Sequence, residues 1–201
     1  MVGKCGGFRI GAVIPAAGMS SRMGGFKPLL PLGDSTVIER TVSAVLPYAQ
    51  TIAVVLGNRA DEVQAALEGR FGNRLIFVRN PDFRTTDMLY SVQLGLQKLA
   101  DCDGFFLLPG DMPMIGSAVF AALIERFDEE ARVIYPVYHG KIGHPPLIPA
   151  SLIPAILAYE GEGGLKAVLR KEPSSMIAVP DVAIMLDLDT PEDYRAAQES
   201  P

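Results

Sequence analysis

Residues 10–32, IGAVIPAAGMSSRMGGFKPLLPL, decide the fold, because a short apolar run leads directly into a loop rich in glycine and positive charge. The first five residues of this stretch predict a buried strand. A strand that ends in a glycine-containing loop turns several backbone N–H groups towards one small volume, which suits phosphate oxygens. Gly18 allows a ligand to approach the backbone, Arg22 offers a bidentate fork, and Lys27 adds a compact positive charge. We therefore predict that this cradle loop (residues 16–32) holds a triphosphate.

The spacing within the cradle loop excludes two common phosphate-binding motifs. A P-loop has Gly-Lys followed by Ser or Thr, whereas Lys27 lies between Phe26 and Pro28. A dinucleotide-binding fingerprint needs G-x-G-x-x-G at the start of a helix, and no such triplet follows the first strand. For the loop taken alone, a glycine-rich surface turn with solvated charges remains an open alternative.

Length and composition indicate a globular chain without a general affinity for polyanions. The 201 residues are 49% hydrophobic and 20% charged, which predicts one domain over residues 8–201 after a loose tail at residues 1–7. The net charge of −5 favours neither nucleic-acid nor membrane binding through a basic surface. Positive groups that bind an anionic substrate must therefore be gathered locally, as Arg22 and Lys27 are.

Cysteine usage and hydropathy predict a cytoplasmic protein. Cys5 and Cys102 are far apart and form no C-x-x-C pattern, so neither a disulfide nor a cysteine metal site is indicated. No secretory signal is apparent at the start of the sequence, and no apolar stretch reaches the roughly 18 residues of a membrane span.

Apolar runs alternate with helical patterns, and this predicts a largely parallel sheet covered by helices on both faces. Ligands of such sheets bind beyond the carboxyl ends of the strands, where the cradle loop and Pro109-Gly110-Asp111 both lie. We therefore expect these two segments to form one site. Residues 139–149 are expected to be a loop. The strands are predicted at 10–14, 51–56, 75–78, 104–108, 132–138, 176–179 and 184–186, and the helices at 36–48, 61–67, 88–99, 117–127, 152–159, 165–170 and 191–198.

Carboxylates at two distant places in the chain predict a site for a divalent cation. Asp111 directly follows an apolar strand in LLPGDMP, and Asp187 and Asp189 stand in LDLDTPEDY. In an extended segment residues i and i+2 share a face. Because Mg²⁺ usually takes one or two carboxylates together with water and substrate phosphates, Asp111 and Asp189 are the preferred pair and Asp187 the substitute. The alternative for Asp189 is an N-cap of the last helix.

Four motifs in order resemble those of the MobA-like/MocA nucleotidyltransferases. These are AAGMSSRMGGFKPLLPL in the cradle loop, LPGDMP with its metal-binding aspartate, GHPPLI on the substrate side, and DLDTPEDY near the end. The resemblance runs from about residue 10 to residue 198. It implies a Rossmann-like three-layer α/β fold, and transfer of a nucleoside monophosphate from a nucleoside triphosphate with release of pyrophosphate.

The branch of the family that joins CMP to molybdopterin has Pro-Ala-Ala-Gly at the cradle, as residues 15–18 do here, whereas the GTP-using branch typically has Leu-Ala-Gly-Gly. The resemblance therefore implies CTP, a molybdopterin-type acceptor and a molybdoenzyme as a further partner. One departure lies ahead of Ser91, where Asp87-Met88 replaces the usual Gly-Met. A carboxylate at this position is expected to alter the base or the acceptor that is bound.

The resemblance and the chemistry together assign roles to individual residues. Catalysis is assigned to Arg22, Lys27 and Asp111, and Mg²⁺ binding to Asp111 and Asp189. For His144 a purely structural role remains open. The nucleotide is expected to contact Ala16, Ala17, Gly18, Met19, Ser20, Arg22, Lys27, Ser91 and Asp111, and the acceptor to contact His144 and Pro145.

Two groups of alternatives accompany this prediction. The first keeps the chemistry and changes a substrate, with GTP as the nucleotide or a sugar phosphate or methylerythritol phosphate as the acceptor. The second is a non-catalytic pterin carrier or insertion chaperone for a molybdoenzyme. A pure carrier has no need of a metal-triphosphate site, and the presence of both Lys27 and Asp111 argues against it.

Overall fold

The computed structural model describes residues 7–19, 25–99, 101–127 and 132–199. Strands and helices alternate along this part of the chain. The strands are β1 (Ile10–Ala16), β2 (Pro31–Leu32), β3 (Ser35–Thr36), β4 (Thr51–Leu56), β5 (Ile76–Arg79), β6 (Gly104–Leu107), β7 (Val133–Tyr138), β8 (Lys141–Ile142), β9 (Leu147–Pro149) and β10 (Ser174–Ala178). The α-helices are α1 (Val37–Val45), α2 (Ala60–Phe71), α3 (Met88–Leu96), α4 (Ser117–Arg126), α5 (Ile153–Leu157), α6 (Gly164–Leu169) and α7 (Pro191–Glu199).

The central sheet has the strand order β10-β7-β9-β6-β1-β4-β5, and β8 pairs with β7 outside this path. The four strands β5, β4, β1 and β6 are parallel to one another. Strand β9 is antiparallel to both of its neighbours, β6 and β7. The sheet is therefore mostly parallel, and β1 at its centre ends where the cradle loop begins.

Two apolar clusters cover the two faces of the sheet. Ile14 of β1 belongs to one cluster, together with side chains of α1, α2 and α4. Its neighbour Val13 belongs to the other, together with side chains of α3, α5 and α6. Successive strand residues point to opposite faces, so a strand that is buried throughout must supply apolar side chains to both layers. The predicted three-layer α/β fold with a mostly parallel sheet is confirmed.

Two predictions about the second half of the chain are wrong. Residues 139–149 are not only a loop, because they form β8 and β9, and β9 lies between β6 and β7 inside the sheet. Residues 184–186 are not a strand, because Val182–Met185 forms a 3-10 helix. Strand pairing fixes β8 and β9, and the 3-10 helix accepts a backbone hydrogen bond at Ile184 from His144. The local signal is weak in elements of two to four residues.

Helices α1 and α7 begin with the same capping arrangement. Thr36 and Glu39 form a capping box at α1, as the sequence predicts. At α7 the backbone N–H of Asp193 donates to Thr190 Oγ1, while Thr190 N–H and Oγ1–H donate to the Asp193 carboxylate. These hydrogen bonds with Thr190 lower the pKa of Asp193 from its usual 3.8. Since Thr190 caps the helix, the alternative of Asp189 as its N-cap is wrong.

Some predictions fall on residues outside the described ranges. Ser20 and Arg22 are among them, as are Cys5 and nearly all of the predicted tail. The division into a tail and one domain therefore stays a prediction. Within the described ranges, every helix is too short or too polar to cross a membrane.

Candidate active site

A cleft opens at the carboxyl edge of the parallel strands, where β1, β4, β5 and β6 all end. Its volume is about 230 Å³. The end of β1, the Lys27 turn, the loop after β5 and the turn after β6 each contribute walls. The lining residues are Pro15, Ala16, Ala17, Gly18, Lys27, Pro28, Phe83, Thr86, Asp87, Met88, Ser91, Pro109, Gly110 and Asp111. The two segments expected to form one site, the cradle loop and residues 109–111, therefore meet in this cleft.

Lys27 joins the two carboxylates that the sequence proposes as metal ligands. It begins a 3-10 helix, Lys27–Leu29, in which Pro28 fixes the backbone for the turn. Its Nζ lies 2.9 Å from Asp111 Oδ2 and 2.8 Å from Asp189 Oδ1. Its side chain is 10% exposed, compared with 27% for Asp111 and 40% for Asp189. One buried cation thus holds together carboxylates that are 78 positions apart in the chain.

The two carboxylates keep Lys27 protonated. Burial lowers the pKa of Lys27, but hydrogen bonds to Asp189 and Asp111 and the charges of both groups outweigh it, and the pKa is raised above its usual 10.5. A buried charge is tolerated when it is paired and hydrogen-bonded in this way. Two carboxylates and one ammonium leave this cluster with a net charge of −1, so it retains an attraction for a further cation.

Close backbone packing places Asp111. The N–H of Gly110 donates to the Pro15 carbonyl at 3.1 Å, and buried Thr41 donates from Oγ1 to the Gly110 carbonyl at 3.2 Å. A Cβ at position 110 would lie 3.0 Å from the Cβ of Ala16, so glycine lets this turn lie against the end of β1. The carboxylate of Asp111 is thereby fixed beside the cradle loop.

The carboxyl-terminal segment carries Asp189 to the same point. The N–H of Leu188 donates to the Asp111 carbonyl at 3.1 Å, which ties the two carboxylate-bearing segments together directly. Leu188 is buried in a small cluster with Leu32 and Val37. The hydroxyl of Tyr194 on α7 donates to the Pro31 carbonyl. The last helix is therefore docked on the segment that follows Lys27.

The donor set fits a hard divalent cation. Asp111 and Asp189 already converge on one positive centre, and Mg²⁺ needs only one or two carboxylates when phosphates and water supply the rest. Among the residues that the structure describes, no group of three or more His, Cys, Asp or Glu side chains forms a complete metal site. Asp187 does not take part in the Lys27 pair, and the Asp189 N–H donates to the Asp187 carbonyl in a tight turn. A bound ion would depend on the substrate for its remaining ligands.

Several predicted nucleotide contacts lie on the cleft wall. Ala16, Ala17 and Gly18 line it, and so does Ser91 from α3. Gly18 does not adopt a positive φ, and a Cβ there would meet open space. Neither the backbone conformation nor a contact with the described residues therefore requires glycine at this position. Met19, just beyond, is 52% exposed.

A polar network around Asn80 is present in the structure but is not evident from the sequence. This buried side chain donates from Nδ2 to Thr86 Oγ1 and to Ser91 Oγ, both at 3.0 Å, and its Oδ1 accepts from the Asp82 N–H. It thus fixes both the loop after β5 and the wall residue Ser91. The signal was the Asn-Pro pair directly after an apolar strand, which predicts a turn but does not reveal these side-chain partners.

The role of Gly57, at the end of β4, is also not evident from the sequence. A Cβ there would lie 2.6 Å from the Phe83 Cβ and 2.7 Å from the Ala17 carbonyl oxygen. Only glycine permits this close approach of the two cleft walls. The sequence shows a glycine after a strand but does not show what approaches it.

Asp87 lies on the cleft wall and caps α3. One carboxylate oxygen, Oδ1, accepts from the Tyr90 N–H at 3.1 Å. This explains how the helix begins, since aspartate is a favoured N-cap. It also places an acceptor-only carboxylate on the wall of the cleft.

His144 and Pro145 lie outside the lining of the cleft. The backbone N–H of His144 donates to the Ile184 carbonyl at 2.8 Å. The ring Nδ1 of His144 is buried without a hydrogen-bond partner among the described residues. Burial lowers the pKa of His144 below its usual 6.5, against the opposing effects of a backbone hydrogen bond with Leu107 and the charges of Asp111 and Asp187. The imidazole is therefore neutral at neutral pH.

The three-layer α/β fold and this cleft together indicate the class of protein to which the chain belongs. A buried lysine and two carboxylates meet beyond the carboxyl ends of parallel strands, which is the arrangement expected of an enzyme that handles a metal-bound phosphate ester. Comparison with known proteins gives the family. The chain belongs to the MobA-like NTP transferase domain family, whose model matches residues 12–176, and it is a nucleotidyltransferase. Membership of a nucleotidyltransferase family argues against the alternative of a non-catalytic pterin carrier.

Individual relatives are similar over nearly the whole chain. It is 28% identical to the molybdenum cofactor cytidylyltransferase of Escherichia coli K12 over 94% of this chain and 96% of the relative. It is 24% identical to a probable molybdenum cofactor guanylyltransferase of Bacillus cereus, over 93% and 94%. A Mycobacterium tuberculosis protein solved in complex with manganese aligns with a TM-score of 0.77 at 25% identity, over 96% and 99%.

Proposed function

We propose that this enzyme transfers CMP from CTP to a molybdopterin-type acceptor, with Mg²⁺ as its metal and pyrophosphate as the second product. The observation that carries the proposal is the pairing of Lys27 with Asp111 and Asp189 beside a cleft that residues 15–18 also line. The Pro-Ala-Ala-Gly of residues 15–18 and the similarity to a cytidylyltransferase support CTP. A cytoplasmic location belongs to the same proposal and rests on the scarcity of cysteine.

The proposed reaction is a displacement at the α-phosphorus. An oxygen of the acceptor's terminal phosphate forms the new bond, the bond to the β-phosphate breaks, and pyrophosphate leaves with the electron pair. The acceptor phosphate is mostly ionised at pH 7, because its second pKa is about 6, so no side-chain base is required. The chain's task is to align the reacting groups and to neutralise the charge that develops.

Each part of the site has a role in this reaction. The backbone N–H groups of residues 17–20 would hold phosphate oxygens, while Lys27 and Arg22 would stabilise the departing pyrophosphate. Asp111 and Asp189 would hold Mg²⁺, which supplies charge neutralisation at the phosphates when it is bound. His144 and Pro145, outside the cleft lining, would contact the acceptor, and a molybdoenzyme would receive the product.

The test is pyrophosphate release by the purified enzyme with each of the four nucleoside triphosphates, with molybdopterin as the acceptor. We expect release with CTP that depends on both Mg²⁺ and the acceptor. Release with GTP alone would replace the CTP assignment. Release that requires a sugar phosphate or methylerythritol phosphate would replace the acceptor.

Guanine is the second candidate base, and Asp87 favours it specifically. An acceptor-only carboxylate on the cleft wall suits a base edge that carries N–H donors, and guanine offers two adjacent donors where cytosine offers one amino group. A guanylyltransferase relative is also similar over nearly the whole chain. Asp87→Gly separates the two candidates: loss of GTP use with CTP use retained would assign Asp87 to guanine, and no change in either would remove it from base selection.

A further inference from the structure

The side chain of Lys27 stands where a metal shared by Asp111 and Asp189 would have to stand. Its Nζ is within 2.9 Å of one carboxylate and 2.8 Å of the other. Both contacts are within the range of charge-assisted hydrogen bonds, so the pairing is a formed interaction. An ammonium and a divalent ion cannot occupy the space between the same two oxygens, because both are cations and each needs the same lone pairs.

The backbone segments that carry the two carboxylates are tied together, whereas the charge of the lysine is at the end of a flexible side chain. Asp111 and the segment of Asp189 are joined by the backbone hydrogen bond from Leu188, and Gly110 is anchored on Pro15. Lysine, in contrast, carries its charge on a flexible four-carbon stem. Its Nζ reaches the carboxylates from a turn that also borders the cleft, so rotation of the stem can carry the charge from the carboxylates to a ligand there.

The position of the Lys27 side chain depends on which negative charges lie near its ammonium group. Without a substrate, the two carboxylates hold the ammonium. A triphosphate in the cleft adds several negative charges beside Lys27 and brings its own metal ligands. We propose that Lys27 is a place-holder for the metal: it pairs with Asp111 and Asp189 in the free enzyme and transfers to the phosphates when a nucleoside triphosphate binds, so that the divalent ion binds tightly only together with the nucleotide. This inference rests on the proposed function only for the nature of that ligand.

The place-holder role makes metal affinity of the free enzyme the quantity to measure. Binding of Mn²⁺ alone is followed by the electron paramagnetic resonance signal of the free ion, for the wild type, Lys27→Met and Lys98→Met. Lys98→Met removes the same charge from an exposed lysine beyond the end of α3, at the edge of the sheet away from the cleft. We expect Lys27→Met to bind Mn²⁺ at least about tenfold more tightly than the wild type, because a unit charge a few ångströms away is removed. Lys98→Met should match the wild type.

The second measurement is the coupling between metal and nucleotide. Mn²⁺ titrations are repeated with the α,β-methylene analogue of CTP and then of GTP, with correction for chelation by the analogue alone. In the wild type the bound analogue should tighten Mn²⁺ binding strongly, and in Lys27→Met the tightening should be smaller, because no place-holder remains to be removed. Equal coupling in both proteins would overturn the inference.

Other outcomes are equally decisive. A folded Lys27→Met protein whose Mn²⁺ affinity equals that of the wild type contradicts the inference. If Lys27→Met does not fold, Lys27→Gln takes its place, and the wild-type coupling stands as an independent test: tight Mn²⁺ binding without nucleotide contradicts the place-holder. If neither analogue binds the wild type, the proposed function fails, while the titration with Mn²⁺ alone still decides the role of Lys27.

Discussion

The two halves of the molecule are built differently, although both contribute to the cleft. The amino-terminal half, residues 10–111, has β1, β4, β5 and β6 in parallel pairing and supplies the cradle loop, Lys27 and Asp111. In the carboxyl-terminal half, residues 133–199, the short strands β8 and β9 pair antiparallel with their neighbours in the central sheet, and this half supplies Asp189. The comparison indicates that a regular framework forms most of the site and that an irregular segment completes it.

The irregular half depends on contacts with the regular half. Strand β9 has only three residues and is held by pairing with β6 and β7 on its two sides. Asp189 reaches Lys27 through the Leu188 hydrogen bond to Asp111 and the docking of Tyr194 on Pro31. These contacts are non-local, so the carboxyl-terminal contribution to the site forms only when the framework is present.

The largest expected effect comes from removing a carboxylate from each half in turn. Asp111→Asn and Asp189→Asn should each lower kcat on the order of 10²–10³-fold, by analogy with the loss of one group that stabilises charge in a transition state. Pyrophosphate release in steady state measures this. Glu68→Gln, on the exposed face of α2, is the matched control and should leave kcat unchanged. If Asp189→Asn retains full activity, the carboxyl-terminal half does not take part in the chemistry.

A smaller effect is expected from the buried network of the amino-terminal half. Asn80→Ala removes hydrogen bonds to Thr86 and Ser91 and should cost about 1–3 kcal/mol of unfolding free energy, because buried polar partners are left unsatisfied. It should also raise KM for the nucleotide, since Ser91 lines the cleft. Urea unfolding and steady-state kinetics test both effects. Asn73→Ala, at an exposed position, should change neither, and a stable Asn80→Ala with unaltered KM would show that the network is dispensable.

Each half of the molecule has a helix that is capped by a threonine, so the two caps allow a direct comparison. Thr36→Ala and Thr190→Ala each remove a threonine that caps a helix, and each should cost about 0.5–2 kcal/mol of stability. Only Thr190 directly follows Asp189, so Thr190→Ala should also weaken Mn²⁺ binding in the presence of nucleotide, whereas Thr36→Ala should not. Thermal unfolding and Mn²⁺ titration give the two readouts. Equal Mn²⁺ affinity in both variants would show that the helix cap at Thr190 does not influence the metal site.

The smallest effect concerns pH. The pKa of His144 is lowered in the folded protein, so the unfolded chain takes up the proton first as the pH falls below the usual value of 6.5. The contribution of His144 to stability is therefore present above pH 6.5 and is lost as the pH falls through the lower pKa of the folded state. His144→Gln should flatten the dependence of Tm on pH in this window, measured by calorimetry against the wild type. An unchanged slope would mean that the imidazole is not held neutral by the fold.

The sequence predicted the amino-terminal half closely, because its signals are local. The predicted strands at 51–56 and 104–108 correspond to β4 and β6, and the capping box of Thr36 and Glu39 forms as expected. The four motifs also led to the right family, since their order is a property of the sequence itself. Residues 139–149 and 184–186 were misassigned because two- to four-residue elements have no periodicity to detect.

The sequence by itself determined the three-layer fold and the position at which the cradle loop begins, and it predicted Lys27, Asp111 and Asp189 as site residues. Only the tertiary structure decided that the lysine bridges the two carboxylates, that Asn80 and Gly57 shape the cleft, and that His144 lies outside its lining. The physical reason is the range of the interactions involved. Strand and helix patterns are written within a few neighbouring residues, whereas the Lys27 pair joins positions 162 apart, and its geometry exists only once the sheet has formed.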